Sequence, residues 1–190
     1  YKLKFEKDFS LLQHYYFLDN EERQAFLIYY QLKSKVNCNI SNYRKQSIAY
    51  AEALPVLKKL WENTGSSKIY YYYHLVNISY LELIGEYENV IKTIDEAEHL
   101  LAEGKLNKYW YNEHFNIFIK VYTLLRLRRL NVGLTLAKQN ISRFEGTGNW
   151  FGFLENYIIL ALHSKEYNKA LEVYSLATNK GKSAFVLPRS

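Results

Sequence analysis

Five histidines, at positions 14, 74, 99, 114 and 163, are the residues of this 190-residue chain whose chemistry best suits metal binding or proton transfer. A metal site carried on a helix wants His or Glu at i, i+3 or i, i+4 on one face, and no two of the five are so spaced. Asp95 and His99 are four apart, but on a polar face, where a surface ion pair is the simpler account. Cys38 is the sole cysteine. With no second Cys and no nearby His it belongs to neither an internal disulfide nor a metal site, and reads as a small packing residue. There is no Gly-x-Ser-x-Gly turn, no phosphate-cradling glycine loop before a helix and no Cys–His neighbourhood. Gly146-Thr147-Gly148-Asn149 reads as a turn between helices. The carboxylates are scattered along solvated faces and supply no acid/base pair. The chemistry on offer is therefore that of a non-enzyme without cofactor or metal.

Two features have the chemistry of recognition instead. Tyr70-Tyr71-Tyr72-Tyr73 and Tyr109-Trp110-Tyr111 each wrap more than one face of a helix, and four consecutive aromatics do not fit one core stripe. They either pack neighbouring elements or present rings with polar tips to a partner. The second feature is basic: Arg126, Arg128 and Arg129, with Lys138 and Arg143 nearby in sequence. Cations at a helix C-terminus are favourable by a few tenths of a kcal/mol each, which accounts for the cluster structurally. The same cluster beside exposed aromatics suits an acidic peptide or single-stranded nucleic acid.

These residues must be positioned by helices. Only Pro55 and Pro188 interrupt the chain, the glycines fall mostly where helices should end, and no run alternates as a strand would. Asp19-Asn20 caps a helix that carries Phe26, Leu27 and Tyr30 to about Lys35. A second covers about 42–61, with Pro55 predicting a kink or two short helices. Ser66-Ser67 opens a third that stops at Gly85. A fourth runs over 86–103, and a fifth over 107–129, its last turn holding the three arginines. The rest occupy 131–144, 150–164 and 166–179, the last stopped by Gly181.

The joints between these helices repeat. Gly85-Glu86-Tyr87 leads to Val90, Ile91, Ile94 and Ala97; Lys165-Glu166-Tyr167 leads to Ala170, Leu171, Tyr174 and Ala177. The joint at Leu130 follows with Gly133, Leu134, Ala137 and Asn140, a weaker copy. Self-similarity of this kind marks stacked helical hairpins. Over about 67–180 the pattern resembles the tetratricopeptide repeat, in which Gly-x-Tyr-x-x-Ala-hydrophobic marks the turn and second helix of each hairpin. The turn residue is expected to wedge into the joint and the small residue to let the helices approach. The copies are longer than the family's, the first helices lack its Trp and Leu-Gly signature, and no Pro closes a hairpin. Tyr43, Ser47, Tyr50 and Ala53 form a degraded fourth copy.

The resemblance implies an all-α fold of antiparallel hairpins stacked as a right-handed superhelix (an α-solenoid), forming one domain over 1–190 that is least defined at 1–18 and 181–190. It implies a scaffold that holds another protein or peptide on a concave face lined by first helices. The candidate partner-binding residues are Tyr70, Tyr71, Tyr73, His74, Tyr109, Trp110, His114, Arg126 and Arg129. Nucleic acid is the alternative ligand, and a peptide-sensing regulatory domain the alternative role. A formal charge of +6, read as a moderate excess spread over the chain, falls below what a dedicated nucleic-acid binder concentrates on one face. No window reaches the roughly 18 apolar residues of a membrane span, and the start has no signal-peptide core; a cytoplasmic location is expected. The absence of any Met points to a piece of a longer protein, or to a chain from which residues are missing.

Overall fold

The computed structural model describes residues 21–36, 43–147 and 150–184, and every element among them is helical. In chain order these are α1 (Glu21–Val36), α2 (Tyr43–Thr64), α3 (Ser67–Ile84), α4 (Tyr87–Ala102), a 3₁₀ turn (Lys108–Trp110), α5 (Glu113–Arg126), α6 (Leu130–Phe144), α7 (Trp150–His163) and α8 (Tyr167–Ala184). His14, Cys38 and the cap pair Asp19-Asn20 lie outside the described residues. So does Gly148-Asn149 of the expected turn before α7.

The chain divides into two compact units, one ending at Tyr111 and the other beginning at Asn112. In the first, α2 packs on both α1 and α3, α1 touches α3, α4 packs on α3, and the 3₁₀ turn also rests on α3. In the second, α6 packs on both α5 and α7, α5 touches α7, and α8 packs on α7. In each unit, then, consecutive helices pack on one another and the first and third also touch. The formal charge divides with the units, correcting the expected even spread. Residues 1–111 hold fourteen Lys and Arg against fourteen Asp and Glu, whereas residues 112–190 hold eleven against five.

The three repeated joints share one backbone geometry. Gly85, Arg128 and Lys165, each two residues before the turn residue, have φ of 79°, 58° and 60°. At each, the left-handed residue donates back to a carbonyl three residues earlier, and the next residue donates five back: Glu86 to Leu81 O at 2.9 Å, Arg129 to Leu124 O at 2.9 Å and Glu166 to Ala161 O at 2.8 Å. This is the Schellman closure, which satisfies helix-end carbonyls. The joint at Leu130, the weaker copy by sequence, is therefore equal to the others in structure. Only Gly85 enters the left-handed region without a Cβ penalty, which costs other residues about 1–2 kcal/mol. Lys165→Gly is expected to raise the stability of the second unit by about 1 kcal/mol, read as a rise of about 2–4 °C in its melting temperature. Gly85→Ala should lower that of the first by a similar amount.

Four boundaries or placements differ from expectation. Pro55 sits in an uninterrupted α2: Pro55 and Ala51, whose carbonyl loses its donor, are both on the exposed side, where water can replace the bond. The expected helix over 107–129 is instead the 3₁₀ turn followed by α5. Asn107 Oδ1 accepts from Tyr109 N–H at 2.9 Å and Asn112 Oδ1 from Phe115 N–H at 3.0 Å, so each Asn starts its own element. Of the three arginines only Arg126 lies in the last turn of α5; Arg128 and Arg129 form the joint. The last helix runs through Gly181 to Ala184.

The small residues act as expected. Val90 and Ala170 are buried. A Cβ built on Gly133 would stand 3.0 Å and 3.2 Å from the two methyl carbons of Leu160 and 3.4 Å from Leu124 Cβ. Gly133 of α6 thus lies beside both α5 and α7. The turn residues behave unequally: Tyr87 and Leu130 are half-buried, but Tyr167 is largely exposed and does not wedge into its joint.

Candidate functional site

The tyrosine run belongs to α3, which Ser66 opens by accepting from Ile69 N–H. Ser66 Oγ also donates to Glu22 Oε1 at 2.6 Å, and Lys68 Nζ lies 3.4 Å from the same carboxylate. The Ser66 hydrogen bond, followed by the Lys68 contact, holds Glu22 below its usual pKa. These bonds tie the start of α1 to the start of α3 and set the two helices side by side.

All four tyrosines are engaged within the first unit. Tyr70 is buried edge-on against Trp61 at 4.8 Å and stacks on His74 at 5.7 Å, and His74 is buried too. Tyr73 stacks on Trp61 at 6.1 Å. Tyr70 and His74 are therefore core residues of α3 in this arrangement, out of a partner's reach. Tyr70 shares a core cluster with Ala97 and Leu106. Tyr71 and Tyr72 turn the other way. Tyr72 stacks on Tyr29 of α1 at 5.2 Å, Tyr71 lies 5.6 Å from Tyr72 and 6.0 Å from Trp110, and Tyr109 meets Trp110 edge-on at 5.3 Å.

Rings thus run unbroken from Tyr30 and Tyr29 on α1, across Tyr72 and Tyr71 on α3, to Trp110 and Tyr109 in the 3₁₀ turn. Lys33 Nζ stands 5.6 Å from the Tyr29 ring centre and 3.4 Å from its hydroxyl, and Lys68 Nζ stands 5.5 Å from the Trp110 ring centre. Each cation lies within the range of a favourable cation–π contact. Tyr30, Lys33 and Tyr109 are exposed, Tyr109 at 83%. The α1 half of this face, Tyr29, Tyr30 and Lys33, is absent from the residues expected by sequence. The Tyr29-Tyr30 doublet, with Phe26 four residues before Tyr30 and 4.4 Å from it, was the available signal.

Such a face offers hydroxyl and indole donors beside flat apolar rings. Burial raises the phenol pKa of Tyr50, Tyr71 and Tyr73, takes Tyr72 to about 12, and moves Tyr70 furthest. Since the folded values lie above the ordinary 10.0, this contribution to stability is intact below pH 10 and is lost as pH rises through about 12. Alkaline titration is expected to release phenolate absorbance together with loss of helical circular dichroism. Tyr72→Phe should move that transition to higher pH; an unchanged midpoint would disconnect the phenol from folding.

In the second unit His114 is half-buried and meets Phe144 edge-on at 5.1 Å. Arg126 and Arg129 are exposed, Arg126 lying over the Tyr122 ring at 5.8 Å. Arg128 Nη1 is 3.3 Å from His163 Nδ1 at the end of α7. Arg143 does not join them. It pairs with Glu113 at the start of α5 at 2.9 Å and donates to Asn140 Oδ1 at 3.1 Å. That is the length of α5 away from the arginine joint, roughly 20 Å at 1.5 Å per residue. The basic residues that are neighbours in sequence lie at opposite ends of the α5–α6 hairpin. His99 pairs with Glu103 at 3.2 Å.

Among the described residues no three His, Cys, Asp or Glu gather as a metal site requires, and no helix is long and apolar enough to cross a membrane. Comparisons of the chain with protein-family models, with curated proteins and with solved structures found no match.

Proposed function

We propose that this chain is a non-catalytic interaction scaffold, a right-handed tetratricopeptide-like array of helical hairpins, which holds a segment of another protein in the cytoplasm. The shared closure at Gly85, Arg128 and Lys165 supports the repeat reading, as does the contact of first helices within each unit. The observation that carries the function is the ring face of α1, α3 and the 3₁₀ turn. Its exposed and half-buried rings, Tyr30, Tyr29, Tyr71, Trp110 and Tyr109, flank the buried Tyr72, and there an extended peptide would find apolar anchors and partners for its carbonyls. The equal numbers of acidic and basic residues in 1–111 favour a peptide over nucleic acid on this face.

The test is selection from a displayed library of random peptides, followed by fluorescence anisotropy of a recovered sequence. Tyr30→Ala, Tyr109→Ala and Lys33→Glu, all at exposed positions, should each weaken binding about tenfold while leaving the melting temperature unchanged. A wild type that enriches nothing, or variants that bind as well as it does, would end the proposal. Tight, steeply salt-dependent binding of single-stranded RNA in the same assay would replace it with the nucleic-acid reading.

A further inference from the structure

In the two joints of the second unit, cations stand where the first unit has Gly85: Arg128 at φ 58° and Lys165 at φ 60°. A residue with a Cβ enters this region at a cost that glycine avoids. A strained position that carries a side chain where glycine would relax it points to a use for that side chain. Both cations are exposed. Among the described residues neither is paired with a carboxylate.

The two joints share one end of the unit. Helix α5 touches α7, and Arg128 Nη1 stands 3.3 Å from His163 Nδ1, two residues before Lys165. A guanidinium only donates, so the imidazole nitrogen accepts. Over 126–133 and 160–170 the sequence carries Arg126, Arg128, Arg129, Lys165 and Lys169 against one carboxylate, Glu166, which pairs with Lys169. The first turns of α6 and α8, which open at this end, hold no acid. The equivalent joint of the first unit reads Gly85-Glu86-Tyr87-Glu88, the same turn with the opposite charge.

We infer that this end of the second unit, built on Arg128, Arg129 and Lys165 with Arg126 beside them, binds an acidic segment of a partner protein. Charge complementarity names the occupant, and the planar fork of arginine suits a carboxylate on both its oxygens. The extent of the cluster separates this ligand from nucleic acid. A strand binder tracks a phosphate backbone along a basic groove. Here the cations are concentrated at two adjacent joints, and Arg143, at the far end of the hairpin, is held by Glu113 at 2.9 Å. A short run of Asp and Glu matches that extent. The surface lies in the second unit and does not depend on the ring face of the first.

The probe is a fluorescent oligoglutamate peptide, titrated into the full chain at low salt and followed by anisotropy. Saturable binding is expected, weakening as salt rises. Arg128→Gly combined with Lys165→Gly should weaken it about tenfold or more. Glycine keeps this closure, as Gly85 does in the first unit, so the double variant should melt no lower than wild type and its loss of binding is not a loss of fold. If it does melt lower, Arg128→Gln with Lys165→Gln serves in its place. Lys138→Gln, at an exposed position of α6 outside the cluster, and Lys33→Glu on the ring face should each leave affinity within about twofold. Absence of saturable binding, or a loss from Lys138→Gln or Lys33→Glu as large as that of the double variant, would overturn the proposal. Tighter binding of a single-stranded oligothymidylate of the same length would also overturn it, giving the surface to nucleic acid.

Discussion

Phe144→Ala is expected to destabilise the second unit by about 3–5 kcal/mol, the cost of emptying a fully buried aromatic site. Phe144 is completely buried at the end of α6 and stacks on Phe153 of α7 at 4.3 Å with the rings nearly parallel, while His114 of α5 meets it edge-on. One ring therefore joins three helices, and a methyl group in its place loses contacts to all of them. Phe144 is the last residue of α6, at the start of the α6–α7 connection. The loss should appear as a lower denaturant midpoint. Phe144→Leu, which keeps most of the volume, should recover more than half of it. A cost below about 1 kcal/mol would mean that the site relaxes freely and that this end of the hairpin is not a rigid core.

Leu160→Ala is the second large loss expected, about 2–5 kcal/mol. Leu160 is fully buried on α7, and both its methyl carbons lie 3.0–3.2 Å from where a Cβ on Gly133 would stand. The pair shares one volume, so the two positions should not act independently. Gly133→Val alone should cost about 1–3 kcal/mol by overpacking. In the Leu160→Ala background the same change fills vacated space and removes a helix-interior glycine, and should be stabilising. The double-mutant cycle is expected to give a coupling of about 0.5–3 kcal/mol. Additive effects would show that the close approach of α6 and α7 is not set at this contact.

The two losses also separate what was legible in the residues from what was not. The helices themselves were legible, because their signals are local: Ser66 as a cap, Gly85 and Gly104 as left-handed closures, the apolar stripes between them. The equivalence of Tyr87, Leu130 and Tyr167 was legible too, through the small residue three positions on. The middle joint looked degraded because Leu130 stands where the other copies have Tyr, and Asn140 where they have Ala. The backbone there adopts the same left-handed turn at a cost that only coordinates reveal.

The candidate site was legible in composition and not in geometry. A run of four tyrosines must face several ways, and so much follows from helical periodicity alone. Which of them meet solvent does not. Trp61 and Ala97 hold Tyr70 in the core with His74 stacked on it, Tyr72 is buried against Tyr29, and Tyr71 and Tyr73 are left half-buried. The ring face joins residues some eighty positions apart, and no local pattern encodes that contact. Likewise Arg143 seemed a neighbour of the arginine joint because sequence distance is short, but an antiparallel hairpin sends its two ends apart.

By itself the amino-acid sequence determined an all-helical chain, its caps and closures, the register of its repeats and the absence of a familiar catalytic motif, because each of these depends on residues within a turn or two of one another. The tertiary structure alone decided the division at Tyr111 and Asn112 and, through it, which part of the chain carries the positive charge. It also decided which tyrosines form a surface, and that the outer face of α8 stays open where that of α6 is closed. Those are properties of what packs beside a helix, and packing partners are chosen across the chain rather than along it.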